Sequence, residues 1–284
     1  MIDIIIPAYN AHKTLPFTLM SIDIQTFKSK TKIYIVDDCS EENYDNIIKD
    51  FQKNLDISLL KTPQNLGSGL ARQYGIDNSN NDYILFLDSD DLFYDADSLK
   101  KLYLTITENN LQYVASYCFN EAAGTKNINF SDLHGKIYKR SFLEQKAIKF
   151  NETRFHEDNA FNNLVLLHEP SATILQELTY IYCNNTHSIT KVSAKIEFSR
   201  LKIFIYNIRY VIDIAKKHNC NNFLIKEYVY NKLKYLRKIY HESTKEEKTK
   251  IKLWLYKYNL NYIKYLSCIS NNLLRINIMN ADKI

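Results

Sequence analysis

Residues Tyr83-Ile84-Leu85-Phe86-Leu87-Asp88-Ser89-Asp90-Asp91 form an apolar run that ends in three carboxylates. A short apolar run closed by polar residues predicts a buried strand, and open α/β sheets gather their ligands outside the carboxyl ends of such strands. The placement therefore points to a metal site serving a phosphorylated ligand. The letters alone prove little, because ordinary aspartate usage yields roughly one chance Asp-x-Asp in a chain of this length. A second copy, Asp95-Ala96-Asp97, lies in a polar stretch that opens a predicted helix, where carboxylates serve as caps.

Upstream, Ile2 to Pro7, Lys32 to Val36 and Ile57 to Leu60 repeat the strand pattern, and amphipathic stretches at 13–27, 41–54 and 68–79 alternate with them. That alternation predicts βαβ units and a mostly parallel α/β sheet flanked by helices. The carboxyl edge of such a sheet gathers Pro7-Ala8-Tyr9-Asn10, Asp37-Asp38 and Asp88 to Asp91. Downstream, 96–109 reads as helix, 112–118 as extended and 127–138 as short strands beyond a turn at Gly124. Asp158 to about His168 reads as helix, and Ala172 to Tyr182 as extended. From about residue 197 apolar residues recur at helical spacing in three runs, marked by Leu201 to Ala215, Val229 to Tyr240 and Ile251 to Leu266.

The chain has 284 residues, 45% of them apolar, enough for one large or two small domains with a sizeable core. No run of about 18 apolar residues occurs, and Met1 to Pro7 carries no basic leader, so neither a membrane span nor a secretory route is expected. Five scattered cysteines without a Cys-x-x-Cys pair fit a reducing cytoplasm and argue against zinc or redox chemistry. The net charge of +5 is uneven: residues 195–284 carry 19 Lys and Arg against 7 Asp and Glu, leaving 18 against 25 before them. An acidic body thus carries a basic, helical tail. All five glycines and all four prolines precede residue 171.

Four segments in order resemble glycosyltransferase family 2 enzymes with the GT-A fold. They are Ile4-Ile5-Ile6-Pro7-Ala8-Tyr9-Asn10, Ile35-Val36-Asp37-Asp38-Cys39-Ser40, Asn65-Leu66-Gly67 leading to Ala71-Arg72, and Phe86-Leu87-Asp88-Ser89-Asp90-Asp91. His156-Glu157-Asp158 falls where that family keeps a Glu-Asp motif. The resemblance covers roughly residues 1–190 and implies a catalytic domain over 1–195, with a nucleotide-binding half at 1–110 and an acceptor half at 111–195. A basic α-helical region at 196–284 is added to it. The implied activity is inverting, metal-dependent transfer of a hexose or N-acetylhexosamine from a UDP-sugar to a hydroxyl of a growing surface glycan, free or lipid-linked.

Asp88 and Asp90 offer hard oxygen ligands for Mg²⁺ or Mn²⁺. By resemblance Asp90 is the principal ligand, Asp88 and Ser89 lie close to the donor ribose or sugar, and Asp91 lies close to the metal or acceptor. A cluster that only ends a strand and caps a helix is the bland alternative. The resemblance also makes Asp38 the acceptor for the uracil imide N–H, with Asp37 sharing that work or capping a helix. Pro7, Ala8, Tyr9 and Asn10 then wall the nucleotide pocket, and the Tyr9 ring offers a stacking face.

Gly67-Ser68-Gly69 lacks the third glycine of a dinucleotide fingerprint. The family reads Asn-x-Gly-x-x-x-Ala-Arg-Asn-x-Gly here; Asn65, Gly67, Ala71, Arg72 and Gly75 hold, and Gln73 replaces the last Asn. Arg72 could pair with the diphosphate or hold the carboxylate cluster. Asp158 is the expected general base and Glu157 the runner-up, although an acidic pair at a helix start is also ordinary dipole complementarity. His187 lies in a segment that closes over the diphosphate in relatives, many of which carry histidine where this chain has Asn185. Lys191 is a further phosphate partner.

The basic tail suits an anionic membrane surface bearing a lipid-linked acceptor, or plain solvated helices with a homodimer contact. Nucleic acid ranks last, since the lysines form no single stripe. Two competing classes remain. One is a UDP- or glycan-binding protein on the same fold that never turns over. The other is a sugar-nucleotide pyrophosphorylase, which needs a Gly-rich basic loop where this chain has Pro7-Ala8-Tyr9-Asn10.

Overall fold

A computed structural model describes residues 1–185 and 198–242, with 244–246 and 248–249. The first half runs β1 (Ile2–Ala8), α1 (Leu15–Asp23), β2 (Thr31–Asp37), α2 (Asp45–Phe51), β3 (Ile57–Lys61), α3 (Ser68–Asp77) and β4 (Tyr83–Phe86). Strands β1 to β4 pair in parallel in the order β3-β2-β1-β4. Every residue of β1 is buried because the sheet is covered on both faces: Ile5 enters one core cluster, Ile4 and Ile6 the other. That two-sided burial is why the strand reads as an unbroken apolar run.

The second half adds β5 (Leu92–Phe93), α4 (Ser98–Glu108), β6 (Tyr113–Asn120), β7 (Thr125–Asn127), β8 (Lys136–Lys139), α5 (Arg140–Gln145), α6 (Glu157–Leu167) and β9 (Ala172–Tyr182). The sheet continues β4-β8-β6-β9-β5, with β7 pairing β6. Here the pairing is mixed: β8 runs antiparallel to β4 and β6, β5 to β9 and β7 to β6, while β6 and β9 are parallel. The expected parallel sheet therefore occupies the first half, and antiparallel strands extend it. Strand β8 pairs with both β4 and β6 and so lies between them.

Helices α7 (Phe198–Lys217) and α8 (Asn222–Glu242) follow. Phe204, Ile208, Val211, Ala215 and Leu233 join the same core cluster as Phe161 and Leu164 of α6, so these helices pack on the α/β body. The third helical run expected from Ile251 to Leu266 lies outside the described residues. Among the described residues no helix is long and apolar enough to cross a membrane.

Register aligns the site. Ala8 lies opposite Asp37, Asp37 opposite Lys61, and Ile5 opposite Phe86. The carboxyl ends of β1, β2 and β4 therefore finish at one edge. The backbone there is held in uncommon conformations: Asn10, Cys39 and His156 take left-handed φ values of 50°, 63° and 62°. Non-glycine residues at such angles persist only where surrounding contacts enforce them.

Candidate active site

The ends of β1 and β2 are stapled together. The Asn10 N–H donates to Ser40 Oγ at 3.0 Å, the Glu41 N–H to Asn10 Oδ1 at 3.0 Å, and the Asp38 N–H to Ala8 O at 2.8 Å. Pro7 and Ala8 are buried, while Tyr9 is 52% exposed and keeps a ring face open above this edge. Asp37 Oδ1 accepts the Ser40 N–H, and its buried Oδ2 has no hydrogen-bond partner among the described residues, with Lys61 Nζ 3.6 Å away.

Asp38 is committed internally. Its Oδ1 accepts Thr62 Oγ1 and the Leu66 N–H, both at 2.8 Å, and its Oδ2 accepts the Gly67 N–H at 2.7 Å. Asn65 Nδ2 donates to Asp38 O at 3.1 Å. Asp38 thus shapes the loop that leads into α3, and any uracil contact would share a carboxylate that already accepts three bonds. Gly67 takes φ 88° there, a conformation that side chains rarely adopt. A Cβ on Gly69 would meet Glu157 Cγ at 2.5 Å, so the glycine lets the start of α6 settle on the first turn of α3.

That close approach builds the centre of the site. Arg72, 5% exposed, donates Nη2 to Asp88 Oδ1 at 2.6 Å and Nη1 to Glu157 Oε1 at 3.4 Å. Arg72 thus lies against both carboxylates. Glu157 Oε1 also accepts Ser68 Oγ at 2.6 Å. Gln73, where relatives carry Asn, accepts the Phe150 N–H at 3.0 Å and so ties α3 to the loop before α6.

The three carboxylates after β4 meet different surroundings. Asp91 is buried, its Oδ2 accepting Tyr180 Oη at 2.7 Å and its Oδ1 the Cys183 N–H at 2.9 Å. Asp90 Oδ2 accepts Asn185 Nδ2 at 2.9 Å. His187 and Lys191 lie outside the described residues. Ser89 is half-buried between the two acids.

A residue the sequence reading missed completes the group. His134 Nε2 lies 3.7 Å from Asp88 Oδ2 and 3.8 Å from Asp91 Oδ2, and His134 Nδ1 lies 3.4 Å from Asp132 Oδ2. Asp88, Asp91 and His134 present ligand atoms within 4.8 Å of one another, a donor set of two carboxylates and an imidazole that fits a divalent ion. The only local signal was the run Asp132-Leu133-His134-Gly135-Lys136, which forms a turn and has no periodicity to read.

Electrostatics sort these groups. Burial pushes Asp91 up, Asp88 adds to it, and its pKa reaches about 8. Burial and Asp88 likewise raise Asp90. Burial alone would raise Asp88, but the Arg72 guanidinium and His134 outweigh it and hold the carboxyl well below the usual range. Burial works against a charged His134, yet Asp132 and Asp88 overcome it and raise its pKa well above the ordinary value, so an ion bound at Nε2 would take the place of a proton there. The cluster therefore calls for positive charge at its centre, which is the condition a divalent ion would meet.

Asp158, at the start of α6, is raised to about 6 by burial and by Glu157, against the pull of Arg72. Its Oδ1 accepts the Asn159 N–H at 2.6 Å. From α8, Lys232 Nζ donates to Asn159 Oδ1 at 2.6 Å, so the added helices reach the first turn that carries the expected base. The second Asp-x-Asp stays away from all of this. Asp95 Oδ1 accepts Ser98 Oγ and the Asp97 N–H, both at 3.0 Å, beside the start of α4. The N-cap residue Asp97 makes no side-chain cap hydrogen bond and its Oδ1 instead accepts Thr26 Oγ1, so the expected capping is not what its side chain does.

A sheet whose parallel half ends in the stapled β1 and β2 edges, with an acidic cluster after β4 and an acidic helix start facing it, defines a nucleotide-diphospho-sugar transferase fold of the GT-A type. The model of glycosyl transferase family 2 matches residues 3–169, and the chain belongs to that family.

It is similar to the glycosyltransferase GlyA of Streptococcus pneumoniae serotype 4, 28% identical over an alignment of 223 positions that covers 67% of this chain and 32% of GlyA. It is also similar to the poly(ribitol-phosphate) beta-N-acetylglucosaminyltransferase TarS of Staphylococcus aureus, 26% identical over 63% of this chain and 35% of TarS. The chain thus spans about a third of the length of these two relatives. Among solved structures, TarS residues 1–349 in complex with UDP-GlcNAc share the fold at a TM-score of 0.76 and 19% identity, over 87% of this chain and 77% of that one. The mannosyltransferase PcManGT of Pyrobaculum calidifontis, in complex with GDP-Man and Mn²⁺, matches at a TM-score of 0.55 and 11% identity, over 100% and 88%.

Proposed function

We propose that the protein is an inverting, metal-dependent glycosyltransferase that moves a hexose or N-acetylhexosamine from a UDP-sugar to a hydroxyl of a surface glycan. The carrying observation is the convergence of Asp88, Asp91 and His134 with the Arg72–Glu157 bridge and Asp158 at one sheet edge. UDP-GlcNAc in the TarS complex supports the donor class, and the polyribitol phosphate in the TarS name supports an anionic, polyol-based acceptor.

In this reading Pro7, Ala8, Tyr9 and Asn10 wall the nucleotide pocket, with the exposed Tyr9 ring against the base. Asp37, Asp38 and the Asn65–Gly67 loop edge the uracil, and Ser89 lies against the donor's ribose or sugar. Asp88, Asp90 and Asp91 would hold a divalent ion, Mn²⁺ or Mg²⁺, which when bound would supply positive charge against the departing diphosphate. Arg72 keeps Asp88 ionised and oriented. Asp158 takes the acceptor hydroxyl's proton as the oxygen attacks the anomeric carbon; the bond to the diphosphate breaks on the opposite face and UDP leaves with the electron pair. A carboxyl at about 6 is ionised at neutral pH yet more basic than a free aspartate, which suits that step. Glu157, bound to Arg72 and Ser68, orients the start of α6.

Residues 1–195 then form the catalytic domain, split near residue 110, and 196–284 an added region. The excess of basic over acidic residues there suits the inner face of an anionic membrane. The test is a screen of UDP-sugars with Mn²⁺, read as UDP release and as binding by calorimetry. Turnover of at least one sugar, lost in Asp90→Ala and Asp158→Asn, is expected. UDP binding without turnover on any donor would instead make this a non-catalytic binding protein, and no UDP binding at all would remove the reading.

A further inference from the structure

We propose that His134 is a direct nitrogen ligand of the divalent ion, with Asp132 as the carboxylate that positions it. The proposal rests on the metal-dependent reading above and goes beyond its three aspartates. Nothing in the Asp-x-Asp pattern calls for a histidine 44 residues downstream of Asp90.

Three observations carry it. The first is spacing: His134 Nε2 sits 3.7 and 3.8 Å from the facing oxygens of Asp88 and Asp91. These separations, like the 3.4 Å from Nδ1 to Asp132 Oδ2, are those of ion pairs and exceed the roughly 2.7–3.2 Å of direct hydrogen bonds. Two bonds of about 2.1 Å to one ion place their ends roughly 3.0 Å apart at a right angle and about 4.2 Å apart in line, so both separations fall within the span of ligands around one ion.

The second is how the oxygens are shared out. Arg72 occupies Asp88 Oδ1, leaving Oδ2 toward His134. On Asp91 the Cys183 N–H takes Oδ1, while Oδ2 accepts a single hydrogen bond from Tyr180 and faces the imidazole.

The third is support behind the ring. Asp132 Oδ2 faces Nδ1 at 3.4 Å, the carboxylate-to-imidazole arrangement that fixes a ligating histidine's tautomer and raises its basicity. Asp132 is anchored in turn: Oδ1 accepts the buried Lys136 Nζ at 2.8 Å and the His134 N–H at 3.2 Å, and its carbonyl accepts Asn162 Nδ2 from α6. Across β9 the imidazole lies over Tyr180 and Tyr182, both with ring centroids 4.9 Å away. A ring gripped by a carboxylate behind and two tyrosines beneath is placed to aim one nitrogen at Asp88 and Asp91. A nitrogen ligand also disfavours Mg²⁺, which takes oxygen, relative to first-row transition ions.

The test uses the full chain with Mn²⁺ and UDP. Electron spin-echo modulation should show a directly bound nitrogen that changes on ¹⁵N-histidine labelling and disappears in His134→Ala. Mn²⁺ affinity should fall at least tenfold in His134→Ala and His134→Gln, with the preference for Mn²⁺ over Mg²⁺ reduced. Asp132→Asn should weaken Mn²⁺ less and leave the nitrogen signal present. Melting curves of each variant separate loss of ligand from loss of fold. Nitrogen modulation that persists without His134, or unchanged Mn²⁺ affinity in both variants, overturns the proposal while leaving the transferase reading intact. A wild-type chain that binds neither UDP nor Mn²⁺ overturns both.

Discussion

Replacing Arg72 by Met removes the cation that spans the half-buried Asp88 and the buried Glu157 while keeping most of the side-chain volume. Arg72 is 5% exposed and lies 2.6 Å from Asp88 and 3.4 Å from Glu157. Two unit charges about 4 Å apart attract by roughly 4 kcal/mol at an effective dielectric near 20. Removing one partner of a buried pair costs about 3–5 kcal/mol, since the remaining charge stays desolvated. At about 2–4 °C per kcal/mol for a chain of this size class, the melting midpoint should fall by roughly 10 °C. The Asp88 contact carries most of this, because 3.4 Å to Glu157 is long for a charged pair.

The assay is calorimetric melting at pH 7.5 with chelator present, on wild type, Arg72→Met, Asp88→Asn and the double variant. Asp88→Asn alone should be destabilising, and the double variant should lose much less than the sum, giving a coupling of roughly 2 kcal/mol. Arg72→Lys keeps the charge but not the two-pronged geometry and should recover only part of the loss. A coupling below about 0.5 kcal/mol would refute the claim that Arg72 holds the cluster together.

Asp158→Asn should lower turnover by about 10²- to 10⁴-fold while UDP still binds, measured as initial rate and by calorimetry. Because the base works ionised, kcat/KM of the wild type should rise with pH through about 6 and level above it; a rate that falls with pH across that range would speak against Asp158. Gly69→Ala should force Glu157 off its Ser68 and Arg72 contacts and cost about 1–3 kcal/mol in denaturant unfolding, whereas an unchanged midpoint would mean that α6 yields freely. Tyr180→Phe removes the 2.7 Å bond to Asp91 Oδ2 and leaves that buried carboxylate short of a donor. It should destabilise by about 1–3 kcal/mol, read from the same unfolding curves.

Long, strongly patterned elements were legible before any coordinates. The unbroken run Ile4-Ile5-Ile6 reads as a strand because β1 is covered on both faces, and Ala172–Tyr182 reads as extended over its observed length. Leu92–Phe93 and Arg140–Gln145 were not read, since two residues and six residues carry no usable period. The same limit hid His134: its turn has no repeat, and what makes it matter arrives from β4, β9 and the Asp132 side chain. Arg72 was legible as a site residue but not in its role, because its choice between diphosphate and carboxylates depends on where α6 lands.

Apolar runs alternating with amphipathic stretches determined a parallel α/β sheet for the first half and the carboxylates at its edge, because burial and strand pairing leave local traces in the order of residues; the GT-A family entered through the resemblance of ordered motifs. Tertiary structure alone decided how those carboxylates divide the work. Only packing brings α3 against α6 through Gly69, sets Arg72 between Asp88 and Glu157, and carries His134 to Asp88 and Asp91. Charges act through space over a few ångströms, and separations of 44 or 85 residues along the chain say nothing about such distances.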